Sequence, residues 1–143
     1  VLVFGLGRVG SGAYDELEVH EVDGVLGVDR RVDVVEMHVN AGRNAIRGDA
    51  LDSDFWERVT LHPDIELALL AMNDHRANLE AVRRIRSYFP DIAIGAVASH
   101  PDEVAELEEL GVDVARNLYE EAGQGLAADA FTAIPGLANH DPQ

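Results

Sequence analysis

Three glycines stand at a fixed spacing, Gly5-x-Gly7-x-x-Gly10, directly after the apolar run Val1 to Phe4. Chemically, a turn of this kind suits a phosphate. The first glycine permits a tight bend, the second lets the backbone approach a pyrophosphate, and the third lets the following helix pack against the strand before it. Free amides at the start of that helix then face the phosphates, with the helix dipole behind them. Asp29 lies 19 residues beyond Gly10, at the end of a second apolar stretch, where a carboxylate is placed to hydrogen-bond ribose hydroxyls. Its charge disfavours a ribose 2′-phosphate, although Arg30 and Arg31 beside it leave an opening for one.

Other chemistries are excluded by what the chain lacks. Its 143 residues contain no cysteine, which removes disulfides, thiolate metal sites and thiol catalysis. All 11 basic residues are arginine. Without lysine there is no Walker A contact to β and γ phosphates, no amine for a Schiff base and no Tyr-x-x-x-Lys pair. No G-x-S-x-G elbow presents a nucleophilic serine. The histidines, His20, His38, His62, His75, His100 and His140, show no ligand spacing and read as surface or capping residues, so no metal is expected. A formal charge of −16 argues against nucleic acid or an anionic membrane surface as partner. No apolar run approaches the roughly 18 residues of a membrane span.

The elements that must position the glycine turn follow an alternating rhythm. Apolar stretches of strand length, at 1–4, 25–28, 45–47, 65–72, 92–98 and 112–115, alternate with longer amphipathic ones. Helices are expected at 9–19, 32–39, from a Ser53 cap through Phe55, Trp56 and Val59, from Asn73 or Asp74 to Phe89, at 101–110, and at 118–131 despite Gly123 and Gly125. The 47% hydrophobic content supplies one core. Six strands alternating with helices, with a glycine turn after the first, predict an α/β, doubly wound (Rossmann-like) parallel sheet of order 3-2-1-4-5-6 with helices on both faces. Residues 1–130 are expected to form the domain and 131–143 a tail or linker; from its start on a strand without Met the chain is expected to be a piece of something longer.

Beyond the glycine motif, the phrases "VFGLGRVGSG", "VDR" at Asp29, "IRGDALD" at 46–52, "LLAMND" at 69–74 and "ELGVDVA" at 109–115 are similar in order and spacing to the RCK, or TrkA-N, domain. That family supplies cytosolic nucleotide-binding regulators of potassium channels and transporters. The phrase "RRIRSYFPDIAI" resembles the Kef-type efflux systems most, and the likeness covers about residues 1 to 130. It implies a site with Gly5, Gly7, Arg8, Val9 and Gly10 around the phosphates and Asp29 with Arg30 around the ribose. It further implies Asp49 and Ala50 near the adenine, and Met72 with Asn73 where the fourth strand opens toward the cleft. Arg8 can give a charge-assisted contact to phosphate, and Asp49 can accept from an exocyclic amine. The ligand implied is NAD(H), AMP or ATP. The partners implied are a second or further copy of the chain and a membrane-embedded potassium transporter or channel part, at the cytoplasmic face of the membrane. This chain departs from the Kef pattern in the fifth strand, where Val97 and Ser99 stand in the arginine positions, and at Asn73, where the family often has Asp.

Arg76, Arg83, Arg84 and Arg86 crowd one helix and either pair within the chain or meet an acidic face of another copy. The acids of 102–110 read as a solvated helix face. Two rival functions stay open here: the cofactor domain of an NAD-dependent dehydrogenase separated from its catalytic part, and a degenerate fold that serves only in oligomerisation.

Overall fold

The structure is a computed structural model and describes residues 1–61 and 64–137. Six strands pair in parallel in the order β3-β2-β1-β4-β5-β6. They are β1 (Leu2–Phe4), β2 (Leu26–Asp29), β3 (Ala45–Arg47), β4 (Leu67–Leu70), β5 (Ala93–Ala98) and β6 (Val114–Asn117). The helices between and after them are α1 (Arg8–Val19), α2 (Val32–Asn40), α3 (Ser53–Val59), α4 (His75–Tyr88), α5 (Pro101–Glu109) and α6 (Leu118–Ala133). The strand order reverses between β1 and β4, and the crevice at that reversal is where sheets of this kind take ligands.

Side-chain alternation along the central strands builds a separate core on each face. Val3 joins Leu6, Tyr14 and Val25 under α1 and α2. Leu2 and Phe4 face the other way, among Phe55, Trp56, Val82, Ile85 and Leu107 from α3, α4 and α5. Phe4, Phe55 and Trp56 form an aromatic cluster with ring centroids 5.3–5.9 Å apart, in tilted and edge-on geometry. The Trp56 indole N–H donates to the Ala50 carbonyl at 2.7 Å, so α3 holds the end of the β3 loop against the sheet.

Local departures from the sequence expectation have local causes. The sixth strand begins at Val114 rather than Val112, because Val112 is drawn into the turn that closes α5. Gly111, at φ +87°, lets the Val112 amide reach back to the Leu107 carbonyl while its own amide bonds to Glu108. That arrangement closes the helix and consumes one apolar residue of the run. The cap of α3 is Asp52, whose carboxylate accepts from the Asp54 amide; Ser53 is the first helical residue and its hydroxyl accepts from Arg84. Asp74 caps α4. Helix α6, capped by Asn117, continues through both glycines to Ala133 and buries no residue. Among the described residues no helix is long and apolar enough to cross a membrane.

The arginines of α4 are largely spent inside the chain. Arg83 and Arg84 pair with Glu80. Arg86 donates to the carbonyls of Pro90, Ile92 and Gly111 and to Asp113, tying the end of α4 to the starts of β5 and β6. The Ile94 amide, with help from Arg86, holds the Asp113 carboxyl below the usual carboxylate range. Folded Asp113 therefore takes up a proton less readily than the unfolded chain does. Its contribution is present above the ordinary carboxylate pKa, about 4, and is lost as pH falls through and below it. Asp113→Asn is expected to lower the melting temperature at neutral pH and to make its decline below about pH 5 shallower; melts recorded across that range check this, and an unaltered acid slope contradicts it.

Candidate functional site

The chain segment after β1 is shaped by backbone contacts that leave no room for larger residues. Gly5 takes φ +88° and lies against the backbone of Ala71 and Met72, where a Cβ would sit 2.8–2.9 Å from three main-chain atoms. A Cβ on Gly10 would collide with the Gly5 carbonyl, so α1 can rise from the turn only with glycine there. Gly7 is different. Among the described residues nothing lies within 4 Å of its Cβ position, and Gly7 lines the cleft.

Both peptide groups of Leu6, between the first two glycines, are held. Its N–H donates to Asp29 Oδ2 at 3.0 Å, and its carbonyl accepts from His38 Nε2 at 2.7 Å and from the Ser11 hydroxyl at 3.1 Å. The other Asp29 oxygen accepts from the Arg31 amide at 2.9 Å. Asp29, placed by sequence at the ribose, thus also clasps the glycine loop to the end of β2. A carboxylate has about four lone-pair positions, so two amide bonds leave acceptor capacity toward the cleft. Gly7 caps α1 without any side-chain hydrogen bond, and the first amides of that helix have no partner in their own helix.

A cavity of about 320 Å³ lies at this end of the sheet, at the lower end of small-molecule pocket sizes. It brings together Gly5, Gly7, Arg8 and Val9 from the turn and Asp29 and Arg30 from the end of β2. Asp49 and Ala50 enter from beyond β3, and Met72 and Asn73 from beyond β4. Gly10 does not line it; that residue is buried beneath the loop against Gly5. Phe4, Val28, Val34, Gly48, Leu51, Ala71 and Ala77 complete the wall, together with Arg31 and Asp74. One Asp49 oxygen accepts from the Leu51 amide in a local turn. Arg8 and Arg30 are exposed at the rim and place positive charge over the cleft of an otherwise acidic protein.

Several residues behind this wall were not singled out as functional from sequence. His38 is buried, 2% exposed, rather than at the surface or a helix cap. Its Nδ1 faces Arg43 Nη1 at 3.2 Å, and Arg43 forms a two-pronged pair with Asp15 at 2.8 and 2.9 Å. That pairing holds the Asp15 carboxyl below its ordinary range and raises Arg43. One signal was available: His38 falls four residues after Val34, on the stripe of α2 that faces the core. His20 pairs with Glu16 at the surface, and His75 lies between Glu103 and Glu106. His62 and His140 lie outside the described residues. Among the described residues no group of three or more His, Cys, Asp or Glu is placed to hold a metal ion. Val97 is half-buried in β5, and Ser99 gives its amide to Glu103.

The residues present suit a nucleotide's phosphate and sugar: open amides at a glycine turn, arginines at the rim and a carboxylate one strand away. Comparison with known proteins gives a family and a fold. The family model described as TrkA-N domain matches residues 1–118. No curated protein sequence matches the chain. Among solved structures, the chain is similar to the NAD(P)-binding domain of an exopolyphosphatase-related protein from Archaeoglobus fulgidus, with 23% identity, a TM-score of 0.81 and coverage of 93% of this chain and 97% of that one. It is similar to the TrkA-N domain of inner membrane protein ybaL from Escherichia coli, at 24% identity, TM-score 0.76 and coverage of 89% and 93%. A third is the Kef C-terminal domain of Shewanella denitrificans in AMP-bound form, at 20% identity, TM-score 0.72 and coverage of 94% and 80%.

The clasp at Asp29 has a consequence for stability without any ligand. Asp29→Ala removes the acceptor for two main-chain amides, and urea unfolding of the ligand-free protein is expected to show a loss of about 1–3 kcal/mol. Unchanged stability would mean that Asp29 does not organise the loop.

Proposed function

Because the chain belongs to the TrkA-N domain family, we propose that it binds an adenine nucleotide in the cleft at the reversal of strand order and serves as the regulatory domain of a potassium transport system. The observation that carries this reading is the glycine turn itself. Its Leu6 peptide groups are clamped from behind while Gly7, Arg8 and Val9 front a cavity that continues to Asp29, Asp49 and Ala50. The phosphates lie against the turn and Arg8, the ribose against Asp29 and Arg30, and the adenine against Asp49 and Ala50, with Met72 and Asn73 closing the far wall. AMP, ATP and NAD(H) are the candidate ligands. The AMP-bound form of the similar Kef domain supports a mononucleotide, and the NAD(P)-binding domain from Archaeoglobus fulgidus supports a dinucleotide.

In this reading the domain is not an enzyme. Its cleft presents hydrogen-bond donors and acceptors but no lysine, cysteine or activated serine. Regulation requires the ligand to favour one conformation or assembly over another. A second copy of the chain is the nearest candidate for that assembly. Helix α6 buries none of its residues and exposes Tyr119, Leu126 and Phe131, with Ile134 and Leu137 beyond it. The side of β5 and β6 away from α4 and α5 also leaves Val97 half-buried and Val114 about half exposed. Covering both with a second copy would remove apolar surface from water.

Two measurements test this reading. Calorimetric titration with AMP, ATP, NAD and NADH is expected to show saturable binding by at least one, weakened about tenfold by Arg8→Ala, the scale of a charge-assisted hydrogen bond; no binding by any of the four contradicts the proposal. Sedimentation of the unaltered chain is expected to show a dimer or larger species that Phe131→Asp converts to monomer, and a monomer at high concentration removes the assembly claim.

A further inference from the structure

The Leu6 carbonyl receives more attention than an ordinary loop carbonyl requires. Two side chains donate to it, His38 from α2 and Ser11 from α1. Behind the imidazole stands a chain of polar groups: Arg43 donates to His38 Nδ1, and Asp15 holds Arg43. Arginine has no acceptor, so Nδ1 must carry the lone pair and Nε2 the proton. The cation behind the ring also makes the Nε2–H a stronger donor, because linked hydrogen bonds polarise one another. At 2% exposure His38 has no water to fall back on if the bond is lost.

A peptide unit is planar and trans, so its C=O and N–H point in opposite directions. The carbonyl of Leu6 and the N–H of Gly7 belong to one such unit. Holding the carbonyl inward at His38 and Ser11 turns the Gly7 N–H outward, and Gly7 lines the cavity with open space around its Cβ position. The next peptide back is fixed as well, since the Leu6 N–H is committed to Asp29. With both neighbouring planes held, the loop cannot rotate the Gly7 amide away without breaking a bond to a buried side chain.

We propose that His38, backed by Arg43 and Asp15, is a positioning residue that aims the Leu6–Gly7 peptide at the phosphate of the bound nucleotide. This rests on the nucleotide reading above and adds to it a cause of phosphate affinity that lies outside the cleft wall. His38 touches no ligand; it acts through the peptide plane. The effect is confined to the phosphate part of the ligand, because ribose contacts come from the end of β2 and adenine contacts from beyond β3.

The test is calorimetric titration of the unaltered chain and its variants with AMP and with adenosine. The unaltered chain is expected to bind AMP more tightly than adenosine. His38→Leu should weaken AMP about tenfold, the scale of one lost buried hydrogen bond, and leave adenosine within about twofold. In His38→Gln the side-chain amide can replace Nε2–H as donor, and most of the AMP affinity should return. Should the leucine variant fail to fold, Arg43→Leu removes the group behind the ring and is expected to give the same AMP-selective loss at a smaller size. Equal loss for AMP and adenosine, or an unchanged AMP affinity in His38→Leu, overturns the inference. An unaltered chain that binds the two ligands equally overturns it too, while leaving nucleotide binding in place. A chain that binds neither ligand overturns the inference, and the nucleotide reading then stands or falls with ATP, NAD and NADH.

Discussion

The molecule is organised around one peptide residue that is gripped from two sides. Leu6 gives its N–H to a carboxylate at the end of β2 and its C=O to an imidazole in α2, while its own side chain is buried beneath α1 and α2. None of these partners is near Leu6 in sequence; Asp29 is 23 residues away and His38 is 32. The grip therefore exists only when β1 and β2 lie side by side and α2 packs on the face they share. Parallel pairing of Phe4 with Val28 brings the two strand ends level, and the Gly5 amide bonding to the Val28 carbonyl continues that register into the turn.

Each further layer serves that arrangement. The first helix can leave the turn only because Gly10 lies directly on Gly5. On the opposite face, the Phe4–Phe55–Trp56 cluster fixes α3, and the indole bond to Ala50 holds the part of the cleft wall beyond β3. Asp74 caps α4 at the mouth of the cavity, and Asn78, buried within α4, donates to the Met72 carbonyl just behind it. At the remote edge, Arg86 and Asp113 join α4 to the starts of β5 and β6. Those contacts support the sheet but have no place at the ligand. The two regions are thus separated: the carboxyl ends of β1, β2, β3 and β4 line the cleft, while β5, β6 and α6 carry the less covered surfaces.

Much of this was legible in the sequence. The strand–glycine turn–helix opening and the acid 19 residues beyond Gly10 gave the cleft, and the alternation of apolar and amphipathic stretches gave the sheet order. The remainder turned on competition between neighbouring elements. Val112 reads as strand but is taken by the end of α5, and Asp52 and Ser53 are both good caps, between which only the backbone path decides. Gly123 and Gly125 weaken a helix without breaking one, at about 1 kcal/mol each relative to alanine. His38 reads from sequence as a surface or capping residue for a deeper reason. Its partner is a main-chain carbonyl, which no side-chain pattern reveals, and its support joins Asp15 and Arg43 across 28 residues through two crossovers on one face of the sheet.

The central claim is that the amides just past Leu6 are held open for a phosphate. It is tested most directly by following the backbone amide resonances during a titration with AMP. The account predicts that the largest shifts fall on Gly7, Arg8 and Val9, with smaller ones at Asp49 and Ala50, while the Leu6 amide stays protected from solvent exchange throughout. Saturating AMP that moves none of the resonances from Gly7 to Val9, or that shifts only residues remote from this turn, would contradict it.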